Sequence, residues 1–119
     1  MLPLGYRAII LKENHKLIGT CGLHHLEQVE GNPVEIAYDI TRSYWANGYA
    51  TESAHRLLGH GFLELGIVEI AAAINPSNIA SARVAEKLGM TIKTKIDWPN
   101  QGLVNLYAIT KKRFKMRNS

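Results

Sequence analysis

The chain has 119 residues, of which 46% are apolar and 20% charged, and its formal net charge is +4. This balance is that of one folded domain with a core, and it excludes an intrinsically disordered chain. No window approaches the ~20 continuous apolar residues that span a bilayer, and the N-terminus lacks the regions of a signal peptide. We therefore expect a cytoplasmic protein with no membrane partner.

The cysteine, the histidines and the basic tail narrow the functional classes further. Cys21 is the only cysteine, so it forms neither an internal disulfide nor a thiolate cluster, and its apolar surroundings favour a small buried side chain. His24 and His25 are adjacent and on a strand would point to opposite faces, so no metal site is expected. The tail 111–117 is basic. It is interpreted as solvated, with attraction of a polyanionic ligand as the alternative. Because no aromatic-and-basic stripe accompanies it, a nucleic-acid partner is not favoured.

Three strands are predicted in the first half of the chain. Residues 6–12 and 17–26 are rich in strand formers, and the polar residues between them supply turn chemistry, so the two segments predict an antiparallel hairpin. After a loop at 28–33, Val34–Ile40 alternates apolar and polar residues and predicts a third strand.

Helices alternate with strands in the second half. Apolar residues three or four apart predict helices over 51–65 and 79–88, which Gly66 and Gly89 end. Short apolar runs predict strands at 68–74, 90–96 and 103–110. The order βββ-α-β-α-ββ predicts an α+β fold, in which a mixed, mostly antiparallel sheet carries two helices and has a βαβ crossover at its centre.

The stretch 43–52, Ser-Tyr-Trp-Ala-Asn-Gly-Tyr-Ala-Thr-Glu, is a glycine-bearing turn between an apolar strand and a helix. Such a turn gathers backbone N–H groups and the positive end of the helix dipole around a phosphate. Gly48 permits close backbone approach, and Ala50 is small enough not to obstruct it. The N–H groups that would face a pyrophosphate belong to Ala46, Asn47, Gly48 and Ala50. The alternative is an ordinary tight turn, with Trp45 as a core anchor.

Two segments together resemble one family. The sequence Trp-Ala-Asn-Gly-Tyr-Ala at 45–50 resembles the pyrophosphate loop of the GCN5-related N-acetyltransferases (GNAT), whose usual form is Gln/Arg-x-x-Gly-x-Gly/Ala. The sequence Asn-Pro-Ser-Asn-Ile-Ala-Ser at 75–81, followed by Glu-Lys-Leu-Gly-Met at 86–90, is similar to that family's second coenzyme A segment. The tryptophan and the Asn-x-x-Ser pattern resemble the RimJ/RimL-type ribosomal-protein N-terminal acetyltransferases. The resemblance covers the chain from about residue 6 to its end.

The resemblance implies an acetyltransferase, which is an acyltransferase, with a GNAT-like fold and acetyl-CoA as cosubstrate. Residues 1–119 would form a single N-acetyltransferase domain that moves the acetyl group to a primary amine by direct attack. The acceptor would be a protein N-terminal amine or a small amine. The implied coenzyme-binding residues are Asp39, Ile40, Trp45, Ala46, Asn47, Gly48, Tyr49, Ala50, Thr51, Asn78 and Ser81. For Asn78 the alternative is a helix cap.

The candidate catalytic residues are Glu35 and Ser81. The acceptor amine must lose a proton before it attacks, which requires a carboxylate or a water chain. Several relatives place a catalytic glutamate on the strand of Glu35, with Asp39 as a weaker candidate; the alternative for Glu35 is an exposed carboxylate or a structural ion pair. Many members carry a tyrosine where this chain has Ala85. Ser81 is then the candidate acid, with a bound water as a second route.

The front of the domain differs from the family pattern. Members usually begin with a strand and a pair of helices that build much of the acceptor pocket, whereas this chain starts at what looks like the second strand. We therefore expect a domain that is N-terminally truncated relative to the family. The open interpretations are a fragment, an enzyme completed by a partner subunit, and a non-catalytic, degenerate coenzyme A-binding module. An exposed sheet edge at residues 6–12 also favours a homodimer.

Overall fold

A computed structural model of the protein describes residues 5–10, 14–27, 29–44 and 48–118. The strands and helices alternate much as the sequence patterns predict. In chain order they are β1 Gly5–Ile10, β2 Leu17–His25, β3 Val34–Ile40, α1 Tyr49–Gly59, β4 Glu69–Ile74, α2 Ile79–Lys87, β5 Thr91–Trp98, β6 Gly102–Thr110 and α3 Lys111–Arg117. A 3₁₀ turn, Arg42–Tyr44, precedes α1, and a π-helical turn, His60–Glu64, continues it.

The six strands form one sheet in the order β1-β2-β3-β4-β6-β5. β3 and β4 run parallel across the α1 crossover, and every other neighbouring pair is antiparallel. The α+β fold with a mixed, mostly antiparallel sheet is therefore confirmed. The pairing of β3 with β4 ends at Glu35 and Ala71, although β3 continues to Ile40 and β4 to Ile74. The two central strands therefore diverge beyond Glu35 and leave an opening in the sheet.

The second half of the predicted first helix is a π-helical turn. The N–H of Leu65 donates to the carbonyl of His60 rather than to that of Gly61. Gly61 is buried, and a Cβ atom built on it would lie 2.9 Å from Cδ1 of Ile70. The turn therefore approaches the sheet so closely that a larger residue at position 61 would displace the side chain of Ile70.

All three helices contribute to one core on the same face of the sheet. Their buried residues Leu58, Ala85 and Phe114 join Phe62 and Ile36 in one cluster. A smaller cluster lies on the opposite face, where Leu26 meets residues of β4 and β6. The larger cluster therefore provides the packing that holds α1 and α2 against the diverging strands.

The expectation of two helices and a solvated tail is wrong, because the tail forms a third helix that packs on the core. The hydroxyl oxygen of Thr110 accepts the N–H of Arg113 and caps this helix. Phe114 is 4% exposed, and its ring centroid lies 5.3 Å from that of Phe62. The sequence did not predict α3 because most of its residues are basic and its one buried residue is Phe114. Within the described ranges, no helix is long and apolar enough to cross a membrane.

Candidate functional site

A groove of about 750 Å³ lies between the second half of β3, the start of α1 and the first turns of α2. Its lining is drawn from elements that are distant in sequence. The lining residues are Tyr38, Asp39, Ile40, Tyr44, Gly48, Tyr49, Ala50, Thr51, Ser77, Asn78, Ala80, Ser81, Arg83, Val84 and Lys87. Eight predicted site residues are among them, namely Asp39, Ile40, Gly48, Tyr49, Ala50, Thr51, Asn78 and Ser81. Trp45, Ala46 and Asn47 lie outside the described residues.

The start of α1 leaves backbone donors facing this groove. Gly48 has φ 78°, a left-handed conformation that glycine adopts without strain, and no side chain caps the helix. The first helical hydrogen bond runs from the N–H of Glu52 to the carbonyl of Gly48. The preceding N–H groups, up to that of Thr51, therefore have no partner within the helix. A Cβ atom built on Gly48 would meet nothing within 4 Å, so space for a ligand adjoins these donors.

The start of α2 is built differently. Oδ1 of Asn78 accepts the N–H of Ser81 at 3.2 Å, so the capping alternative for Asn78 is present in this structure. The Asn78 side chain is exposed and Ser81 is half-buried, and both line the groove. Thr110 caps α3 in the same way, whereas no side chain among the described residues caps the first turn of α1.

Tyr38 connects the two walls of the groove, and the sequence analysis did not identify it. Its hydroxyl donates to the backbone carbonyl of Ser81 at 2.9 Å, so β3 is tied directly to α2. Burial raises the pKa of the Tyr38 phenol well above its usual range, and the nearby Glu35 and Tyr107 act in the same direction. The phenol therefore keeps its proton and remains a donor. The only sequence signal was the strand alternation, which places Tyr38 on the same face as Ile36.

Two basic residues of α2, Arg83 and Lys87, also line the groove. Arg83 was not identified from the sequence, and Lys87 was part of the segment 86–90 but had no role assigned to it. Their spacing of four residues places them on one helix face. Both are exposed, so they offer positive charge at little desolvation cost. Together with the uncapped start of α1, they make this end of the groove suited to an anion such as a phosphate.

Glu35 does not line the groove but lies where β3 and β4 part. It is 9% exposed, which excludes the exposed-carboxylate alternative. Its Oε2 accepts the N–H of Ala73 at 2.6 Å, and its Oε1 lies 2.8 Å from Nε2 of His24. Burial raises the pKa of the Glu35 carboxyl, whereas the Ala73 N–H and His24 lower it. The contact with His24 matches the ion-pair interpretation, and the role of general base stays a prediction.

The described residues offer few other candidates for a catalytic or metal-binding site. No group of three or more His, Cys, Asp or Glu residues is arranged there to hold a metal ion. Cys21 is buried in the main core. His25 is exposed, and its Nδ1 lies 3.0 Å from the carbonyl oxygen of Asn32, away from the His24–Glu35 contact.

The fold is that of an acetyltransferase family. Residues 3–91 match the family model of the acetyltransferase (GNAT) domain. This match covers well over half of the chain, and the chain therefore belongs to the GNAT family. Membership confirms the family resemblance drawn from the two coenzyme A segments.

Individual relatives agree with this assignment. Two curated relatives are an uncharacterized N-acetyltransferase, p20, from Bacillus licheniformis, 37% identical over 81 residues, and the uncharacterized protein YkkB from Bacillus subtilis, 45% identical over 80 residues. The matches cover 68% and 66% of this chain but 45% and 46% of the relatives. A solved GNAT-family acetyltransferase from Bacillus anthracis has TM-score 0.78 and 28% identity, covering 90% of this chain and 66% of that one. The chain thus spans about half the length of the curated relatives it matches.

Two more distant solved structures share the fold alone. The ribosomal-protein-S5-alanine acetyltransferase from Vibrio fischeri has TM-score 0.81 at 19% identity and covers 93% of this chain and 63% of that one. The spermidine/spermine N-acetyltransferase SpeG from Vibrio cholerae has TM-score 0.79 at 17% identity and covers 96% and 70%. Their names show that one fold serves both protein and small-molecule acceptors.

Proposed function

We propose that the chain is a single N-acetyltransferase domain, residues 1–119, that transfers an acetyl group from acetyl-CoA to a primary amine by direct attack. The observation that carries this proposal is the uncapped start of α1, which opens on the same groove as Asn78, Ser81 and the basic residues of α2. Free N–H groups and the helix dipole favour a phosphate at such a position. The residues present therefore fit the pyrophosphate and pantetheine arm of coenzyme A.

Each wall of the groove has a proposed binding role. The N–H groups from Gly48 to Thr51 bind the pyrophosphate, and residues 45–47 complete the loop. Arg83 and Lys87 lie beside it and attract the phosphates. Backbone groups of Asp39 and Ile40 hydrogen-bond the pantetheine amides, because β3 has no β4 partner at that level. Asn78 binds the same arm from α2.

Acetyl transfer moves two protons, and we assign one residue to each of these proton transfers. Acetyl-CoA supplies the activated thioester. Glu35 is proposed as the base that takes the proton from the acceptor amine, and its raised pKa brings it closer to the operating pH of a general base. Ser81 is proposed as the donor to the departing thiolate, with a bound water as a second route. Tyr38 holds the Ser81 turn in place through its hydrogen bond.

We also propose a subgroup within the family and, from it, a class of acceptor amine. The tryptophan and Asn-x-x-Ser pattern favours the RimJ/RimL type and hence a protein N-terminal amine, and one solved structure of similar fold is a ribosomal-protein acetyltransferase. A small amine is the other candidate, because the spermidine/spermine enzyme has the same fold. A homodimer and a cytoplasmic location stay predictions.

The first test is binding and transfer. Acetyl-CoA at a hundredfold excess over its Kd is expected to stabilise the fold by about 2.7 kcal/mol, measured as a thermal shift. Arg83→Ala is expected to weaken binding roughly fivefold, since it removes a charge-assisted contact at an exposed site. Lys112→Ala on α3, which is exposed and outside the groove, is the matched control and should bind as the wild type does.

A transfer assay then separates the alternatives. The panel contains spermidine, other small amines and peptides with free N-termini. Transfer to any of them supports the enzyme and identifies its acceptor class. Binding of acetyl-CoA without transfer would favour the non-catalytic coenzyme A-binding module. Absence of a thermal shift at saturating acetyl-CoA would reject both.

A further inference from the structure

His24 is the cross-strand partner of Glu35. The two residues are opposite each other in the register of β2 and β3, so their side chains extend from the same face of the sheet. Nε2 of His24 lies 2.8 Å from Oε1 of Glu35, which is hydrogen-bonding distance. The side chain of His24 is 34% exposed, against 11% for that of Glu35. The contact therefore joins a buried carboxylate to a residue that reaches solvent.

The position of Glu35 gives this contact a functional context. The β3–β4 ladder ends at Glu35, and the next N–H of β4 in line, that of Ala73, donates to the carboxylate instead of to a strand carbonyl. The carboxylate consequently occupies the apex of the opening between the strands. The groove wall formed by Tyr38, Asp39 and Ile40 continues from the same strand. Asp39 lines the groove and lies on the same face of β3 as Glu35, so a substrate that follows this face from the groove would meet Glu35.

The two partners orient the carboxylate completely. Oε2 is held by Ala73 on β4 and Oε1 by His24 on β2, so the side chain cannot rotate without losing one hydrogen bond. Each carboxylate oxygen has a second lone pair, so both bonds leave an acceptor position for a substrate proton.

The groups around Glu35 decide its protonation state. His24 faces it from β2 and the Ala73 N–H from β4. On β3 itself, the phenol of Tyr38 is protonated and Asp39 is exposed. His24 is thus the one ionisable side chain, among the described residues, that hydrogen-bonds to this carboxylate.

We propose that His24 is a positioning residue for acetyl transfer: its Nε2–H donates to Oε1 of Glu35, fixes the carboxylate at the opening between β3 and β4, and favours the ionised form that accepts the proton of the acceptor amine. This inference rests on the proposed function. It adds to that function a residue that acts through Glu35 rather than on the substrate.

The test is the pH dependence of kcat. Burial raises the pKa of Glu35 and His24 lowers it, so removal of His24 should raise this pKa further. As the pH falls, the Glu35 carboxylate of the variant is then protonated, and unable to act as a base, at a higher pH than in the wild type. His24→Ala is expected to move the acid limb of the profile to higher pH, so that the loss of kcat is greatest at low pH. His24→Gln keeps an N–H donor and should restore part of the shift. The KM for acetyl-CoA should not change.

His25→Ala is the matched control, because His25 is the next residue on the same strand and points to the other face. Its acid limb should coincide with that of the wild type. If His24→Ala lowers kcat equally at every pH, His24 has only a structural role and the inference is overturned.

A direct titration separates this inference from the proposed function. The carboxyl carbon of Glu35, labelled with ¹³C and assigned by Glu35→Gln, should titrate at higher pH in His24→Ala than in the wild type. An unchanged titration would overturn the inference, whatever the activity. Absence of transfer by the wild type to every acceptor would instead overturn the catalytic function, and with it the role of His24 in catalysis.

Discussion

At the scale of single residues, Glu35 shows how surroundings change a side chain's behaviour. It sits on a strand whose other charged residue, Asp39, is exposed, yet Glu35 is buried and held by two partners. Its pKa in the folded protein is raised above the ordinary 4.5. Folding is therefore favoured by protonation of Glu35. This stabilisation is fully present below pH 4.5 and is lost as the pH rises through the folded-state pKa.

Glu35→Gln is expected to abolish most transfer activity without lowering stability at neutral pH. The amide oxygen still accepts the Ala73 N–H, the buried negative charge is gone, and the partner left behind reaches solvent. We expect the free energy of unfolding at neutral pH to stay equal or to rise by up to about 1 kcal/mol, measured by urea denaturation. Glu69→Gln, which breaks an exposed ion pair with Lys93, is the control and should change it by less than about 0.5 kcal/mol. A clear loss of stability in Glu35→Gln would mean that the ion pair is structural.

At the scale of elements, the two groove helices begin in opposite ways. The side chain of Asn78 caps the N-terminus of α2. α1 begins after Gly48, and no side chain of the described residues caps it. An uncapped helix start is less stable by about 1 kcal/mol than a capped one. Of the two helices that line the groove, α2 is therefore capped by its own side chain, and the first turn of α1 is available to bind a ligand.

Gly48→Ala is expected to weaken acetyl-CoA binding and also to lower stability. The left-handed φ of 78° costs an alanine about 1 kcal/mol, and the new methyl group would enter the space beside the free N–H groups. Gly66→Ala is the matched control, because it has φ 74° and equally open surroundings but lies outside the groove. Both variants should lose similar stability in denaturant, and only Gly48→Ala should show a higher Kd by calorimetry. Equal Kd values for the two would argue against a phosphate at the start of α1.

At the scale of the whole molecule, α3 completes the core. Phe114 packs beside Phe62 and within 5.3 Å of the His55 ring of α1, both measured between ring centroids. Arg113 donates from Nε to the carbonyl of Gly89 at 2.9 Å and so binds the loop that ends α2. The last helix therefore holds both groove helices against the sheet.

Phe114→Ala is expected to lower the free energy of unfolding by about 3 kcal/mol, because it opens a cavity between α1 and α3. The measurement is equilibrium denaturation in urea. Lys115→Ala, on the same helix but exposed, should change stability by less than about 0.5 kcal/mol. Similar small effects of the two substitutions would restore the interpretation of this segment as a solvated tail.

The sequence by itself determined the local elements and the family. Alternation predicted β3 with the bounds Val34–Ile40. Gly66 follows the π-helical turn that continues α1, and Gly89 lies just after the end of α2. The two segments that resemble the coenzyme A motifs predicted the family because each motif is a run of consecutive residues. These features depend on neighbours in the chain, which a pattern can report.

Only the tertiary structure decided which side chains meet. Tyr38 and Ser81 are 43 residues apart, and Glu35 meets Ala73 across 38 residues. The third helix was hidden because one buried phenylalanine gives no periodicity. Such contacts arise from strand register and from helices packing on one face of the sheet, and no local pattern encodes either. The sequence therefore identified the family and predicted a coenzyme A ligand, while the fold supplied the arrangement of Glu35, His24 and Tyr38 on which the proposed chemistry depends.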